Sequence, residues 1–154
     1  MAASFETRTQ IERPPADVFA VATDITRAHE WMSAVVKLEP VDDGPVREGW
    51  RFKETRTMKG REMTAVIEVT EHRGPESGAP PYTHAARSAV MGVEGVYRFT
   101  FSEPSPGVTD VHLRADVRAT SFLAKPLVGL AAKAMKDQDG DMLEQLKALC
   151  EARA

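Results

Sequence analysis

Residues Ile11 to Trp31, IERPPADVFAVATDITRAHEW, constrain the fold of this chain most. A strand with strict polar alternation (Phe5, Thr7, Thr9 and Ile11 against Ser4, Glu6, Arg8, Gln10 and Glu12) runs into Pro14-Pro15. A proline is tolerated in the first turn of a helix, where its missing N–H has no partner to lose. Asp17 suits the positive end of the helix dipole, and Val18, Phe19, Ala22 and Ile25 form a short apolar stripe. A second short helix is expected around Arg27 to Met32, bearing Trp31. Two short helices directly after the first strand can cover only part of a sheet.

The rest of the cover comes from the other end of the chain. From about Pro126 to Arg153, Leu127, Leu130, Ala131, Ala134, Met135, Met142, Leu146 and Leu149 recur at three- and four-residue steps. Such a helix would be about 40 Å long at ~1.5 Å per residue. Gly140 in its middle costs about 1 kcal/mol relative to Ala and invites a bend. Between these helical ends lie strand-like segments: Val35–Pro40, Trp50–Met58, Met63–Thr70, Tyr82–Met91, Val93–Phe101 and Val108–Ala119. With the first strand they make seven, and the short links between them predict an antiparallel sheet. The reading is a single α+β domain over residues 1–154, its sheet wrapped around the terminal helix with a pocket between.

Composition excludes several function classes. The chain has 154 residues, 20 basic and 23 acidic, for a formal charge of −3, so there is no basic excess to suggest nucleic-acid binding. No stretch approaches the ~18 consecutive apolar residues of a membrane span, and the N-terminus lacks a signal-like apolar core, so a cytoplasmic protein is expected. Cys150 is the single cysteine, which leaves no internal disulfide and no thiolate cluster, and reads as a small packed hydrophobe. The four histidines are scattered, and Asp137, Asp139 and Asp141 lack the glycine and the twelfth-position glutamate of a calcium loop. Neither a metal nor any other cofactor is expected, and those acids are placed on the solvent face of the terminal helix. No phosphate-cradling loop or nucleophile elbow is present.

Strand parity nominates the site. On Trp50–Met58, the parity that sends Trp50, Phe52 and Met58 inward carries Glu54 and Arg56 with them, about 7 Å apart on one face. Arg51, Lys53, Thr55 and Thr57 fall on the solvent face. A buried charge is costly unless paired, so Glu54 and Arg56 are candidate polar anchors for a ligand carbonyl, hydroxyl or carboxylate, or else an ion pair at the cavity mouth. Tyr82, His84, Ala86 and Ser88 share an inward face, as do Tyr97, Phe99 and Phe101. A turn at Gly92-Val93 would set Ser88 opposite Tyr97 and His84 opposite Phe101. His84 is then a candidate proton shuttle in an apolar cavity or a hydrogen-bonded core histidine. His29, His72 and His112 are placed in solvent. Trp31, Met32, Met58, Met63, Met91 and Met135 are candidate pocket linings, methionine adapting to guests of varied shape.

Ile11, Pro14, Pro15, Val18, Phe19, Asp24 and Trp31, then Gly49-Trp50 and the long terminal helix, resemble the START-like (helix-grip) superfamily, in particular its polyketide cyclase/dehydrase or SRPBCC branch. The resemblance spans nearly the whole chain. It implies a hydrophobic small-molecule binder of lipid-, quinone- or polyketide-like guests. Alternatives are a polyketide cyclase or dehydratase using His84 or Glu54/Arg56 for proton transfer, and a protein-interaction module of chaperone-activator type. An exposed apolar strip on the terminal helix would favour the interaction module. Ligand identity and the choice between monomer and homodimer stay open.

Overall fold

The computed structural model describes residues 2–152. Seven strands form one antiparallel sheet: β1 (Ala2–Ile11), β2 (Val35–Pro40), β3 (Arg51–Met58), β4 (Arg61–Arg73), β5 (Tyr82–Val90), β6 (Val93–Ser105) and β7 (Val108–Ala119). Their spatial order is β1-β7-β6-β5-β4-β3-β2. Every connection but the one from β1 to β2 is therefore a link between neighbours. That exception carries α1 (Pro15–Thr23) and a 3-10 turn (Ile25–Glu30), whose start is capped by Asp24 accepting from the Thr26 amide at 3.0 Å.

The alternation in β1 becomes a buried row, Phe5, Thr9 and Ile11, facing Val111, Leu113, Ala115 and Val117 of β7. These residues, with Phe99 and Phe101 of β6, form the concave inner face. Val18 and Phe19 of α1, Trp31, and Met142, Leu143 and Leu146 of the C-terminal segment pack into it as one cluster. Trp50, Phe52, Ile67 and Val69 make a second, smaller core at the β3–β4 end.

The C-terminal helical segment is broken where glycine allows. A 3-10 turn (Phe122–Leu127) leads into α2 (Val128–Asp139), and after Gly140-Asp141 the chain resumes as α3 (Met142–Glu151). Both helices lie across β1, α2 also against β7. The bend expected at Gly140 is present. The buried stripe differs in phase from the expected one: Val128 and Leu143 are fully covered, whereas Leu127 and Leu130 face out. The 3-10 turn containing Pro126 winds more tightly than an α-helix, and it rotates the start of α2 relative to a stripe extrapolated back from Met142.

Three local features depart from expectation, and one of them alters which residues face inward. The β5–β6 hairpin turns at Met91-Gly92, both at positive φ (53° and 79°), one residue earlier than expected. The register therefore shifts by two, setting His84 opposite Phe99, Ala86 opposite Tyr97 and Ser88 opposite Gly95. A shift of two preserves parity, so the inward set survives. A bulge between Val69 and Glu71 flips parity in β4 and brings His72, expected in an exposed loop, onto the inner face opposite His84. Thr55, expected in solvent, is buried and hydrogen-bonded to Thr64 at 2.9 Å across the strand pair.

Candidate functional site

Glu54 and Arg56 do point inward, and what they meet there is the end of α2. The Arg56 Nε donates to Glu54 Oε1, two positions back on the same face of β3. Its Nη1 donates to both carboxylate oxygens of Asp139, at 3.0 and 2.9 Å, and reaches Gln138 Oε1 at 3.5 Å. Asp139 is 2% exposed, a correction to its expected place on the solvent face. Its Oδ2 also accepts a hydrogen bond from the Tyr97 hydroxyl of β6. Four side chains from β3, β6 and α2 thus form one partly buried polar network.

The electrostatics follow from burial and neighbours. Burial opposes charge on the Arg56 guanidinium, but Glu54 and Asp139 together outweigh it and hold it more firmly protonated than a free arginine. Burial, and then the adjacent Asp139 carboxylate, push the Tyr97 phenol well above its ordinary range, so it stays a donor. Arg56 Nη2 and the second carboxylate oxygen of Glu54 make no hydrogen bond among the described residues. The rim is apolar: Met58 is partly buried, Met63, paired with Arg56 across β3–β4, is 43% exposed, and Met135 of α2 lies over Gly95 of β6. A Cβ on Gly95 would lie 2.9 Å from the Met135 Cε, so the flexible thioether would have to shift to admit one.

His84 belongs to a different place. Its β4 partner is His72 and that of Arg56 is Met63, nine positions apart, roughly 25–30 Å along a strand. The three anchors expected to share one cavity therefore occupy opposite ends of the sheet. His84 Nδ1 lies 3.1 Å from His72 Nδ1, one ring donating and the other accepting. Phe19 of α1 covers the pair, its ring 5.2 Å from that of His72. Burial, with His72 adding to it, lowers the His84 pKa to about 4, and burial lowers that of His72 as well, with Glu76 opposing. Of the other two histidines expected in solvent, His29 is exposed, and His112 is half-covered against Glu6 at 2.9 Å.

Trp31, Tyr82 and Phe99 are core residues. Trp31 packs edge-on to Phe99 (ring centroids 6.1 Å apart), and the Tyr82 hydroxyl donates to the Gly78 carbonyl at 3.2 Å. The Trp31 indole N–H is buried with no hydrogen-bond partner among the described residues. A separate open recess of about 500 Å³, lined by Arg13, Asp17, Asp24, Arg27 and Cys150, lies between α1 and the end of α3. Ala20 and Val21 complete its lining, which mixes charged and apolar side chains and shares no residue with the network around Arg56. Among the described residues no three His, Cys, Asp or Glu side chains gather where they could hold a metal ion. Among the described residues no helix is long and apolar enough to cross a membrane.

A curved antiparallel sheet gripping a C-terminal helical segment, with two short helical elements after the first strand, defines the helix-grip, START-like class. The family model for polyketide cyclase/dehydrase and lipid transport matches residues 2–151, and the chain belongs to that family. No curated protein matches the sequence. Among solved structures, the chain is similar to the Zhui aromatase/cyclase from Streptomyces sp. R1128 (TM-score 0.74, 14% identity, 99% of this chain and 96% of that one). It is also similar to a START superfamily protein from Mycobacterium smegmatis (0.73, 10%, 98% and 99%). A third is the major latex-like protein 151 from Panax ginseng (0.70, 12%, 96% and 96%). At these identities the likeness establishes the shared fold.

Proposed function

We propose that the chain acts as one domain that binds a hydrophobic small molecule between the concave face and α2. The observation that carries this reading is the Glu54–Arg56–Asp139–Tyr97 network: a set of polar groups on an inner face, with an unengaged donor edge and acceptor oxygen, edged by Met58, Met63 and Met135. A protein gains little from burying a charged network unless something uses it, since apolar packing of equal volume is often as stable. Fluorescence of the neutral probe N-phenylnaphthylamine, with native mass spectrometry of protein purified from its own host, tests it. Probe uptake that a rim charge at Met63→Arg abolishes supports the reading. No uptake and no retained molecule refutes it.

A second reading has an observation of its own. Leu123 is 87% and Leu130 69% exposed, and with Leu127 they form an apolar stripe along the start of the C-terminal segment. Such a stripe favours the interaction-module alternative. Retained binding of the neutral probe with no self-association or partner capture would leave the binder reading in place. A cyclase or dehydratase role, which the family description also names, would draw on Tyr97 and Asp139, where phenol and carboxylate are in contact, and not on His84.

A further inference from the structure

We infer that the site selects apolar guests whose polar end is a neutral hydrogen-bond donor, such as a phenolic hydroxyl, and rejects carboxylates. This rests on the binding reading above. The argument is a charge count. Two carboxylates, Glu54 and Asp139, face one guanidinium, Arg56, so the network carries a formal charge of −1 on an inner, water-poor face. The two ion pairs have side-chain exposures of 18% for Arg56 against 12% for Glu54 and 2% for Asp139, and among the described residues no second cation is hydrogen-bonded to either acid. The sequence alone offered Glu54 and Arg56 as anchors for a ligand carbonyl, hydroxyl or carboxylate. The structure shows Arg56 Nε and Nη1 already committed to internal carboxylates.

What the site still offers is an acceptor, the second oxygen of Glu54, and a donor, the two N–H groups of Arg56 Nη2, neither of them hydrogen-bonded among the described residues. A hydroxyl can use both, donating to Glu54 and accepting from Arg56. A carboxylate can use only Arg56, and would sit within a few ångströms of the Glu54 charge at reduced dielectric, where like charges repel strongly. Tyr97 cannot relieve this, because its own proton is engaged by Asp139.

The test compares β-naphthol, β-naphthoate and unsubstituted naphthalene by fluorescence titration of the wild-type protein at neutral pH, and repeats the series on Glu54→Gln. The expected result is naphthol binding at least ten-fold more tightly than naphthoate. In Glu54→Gln the gap should close to within about three-fold, through a gain for naphthoate. Naphthoate binding as tightly as naphthol, or all three binding alike, overturns the charge inference and leaves the binding reading standing. Binding of none of the three overturns both. The wild-type ratio decides by itself should Glu54→Gln not fold, and a folded Glu54→Gln that leaves the ratio unchanged overturns the assignment to Glu54.

Discussion

Arg56 of β3 donates through Nη1 to both oxygens of Asp139, a residue 83 positions later at the end of α2. This contact ties the sheet to the C-terminal segment by charge as well as by packing. Removing the carboxylate strips Arg56 of one of two counter-charges and leaves the Tyr97 hydroxyl without its acceptor, on an inner face. Asp139→Ala is therefore expected to cost about 2–3 kcal/mol of unfolding free energy. Asp139→Asn keeps an acceptor for Tyr97 and leaves a neutral Glu54–Arg56 pair, and should cost less than half as much. Urea denaturation of both variants checks this, and equal losses would show that the charge carries the contact and the retained acceptor adds nothing.

Gly140 sets where Asp139 ends up. In an ordinary helix interior, Gly→Ala stabilises by about 1 kcal/mol. Here a Cβ would lie 2.6 Å from the Lys136 carbonyl oxygen, which is backbone and cannot swing aside. Gly140→Ala should destabilise, by about 1–3 kcal/mol, and thermal melting gives the sign directly. A raised melting temperature would mean that α2 and α3 tolerate being one continuous helix.

Much of this was legible before any coordinates. The seven strands, their antiparallel pairing, the helices after β1 and the weak point at Gly140 all follow from periodicity and from proline and glycine placement. Inward-facing Glu54 and Arg56 followed from parity, and so did the inward row of β5, which the two-residue register shift in the β5–β6 hairpin could not disturb. Asp139 was legible too, and misread: it lies four residues after Met135 and three before Met142, squarely on the buried stripe, but its charge argued for solvent. Its partner Arg56 is distant in sequence, and pattern reading cannot pair residues across such a gap. His72 was hidden for another reason. A bulge adds one residue to β4 and reverses the facing of everything after it, and nothing in Thr70-Glu71 marks it.

The His72–His84 pair predicts an acid-sensitive fold. In the unfolded chain His84 titrates near 6.5, whereas in the folded protein burial holds its pKa to about 4. Between those values the unfolded state binds the proton and the folded state does not, so stability falls as pH drops from about 6.5 towards 4. The loss attributable to His84 is on the order of 3 kcal/mol at the acid end, and His72 acts in the same direction. His84→Gln removes the titrating group and should flatten the melting temperature across this window, even if it lowers it at neutral pH. A variant with the same acid slope as the wild type would assign the sensitivity elsewhere.

The exposed leucines separate folding from function most cleanly. Leu123 and Leu130 are largely in solvent, so neither contributes much buried area, and their replacement removes little that folding depends on. The double substitution Leu123→Ser, Leu130→Ser should change stability by less than about 1 kcal/mol, because surface changes away from special features are usually small. If α2 instead needs these side chains, for example because it closes further onto Met63 in solution, the double variant will lose several degrees in melting temperature. If the stripe covers a second copy of the chain, the wild type will sediment above its 16.9 kDa monomer mass and the variant will not. Sedimentation velocity and a thermal melt on the same two samples distinguish these outcomes. The expected result is an unchanged melt, with neutral-probe binding intact, which would place the binding determinants on the concave face and not on the outer stripe.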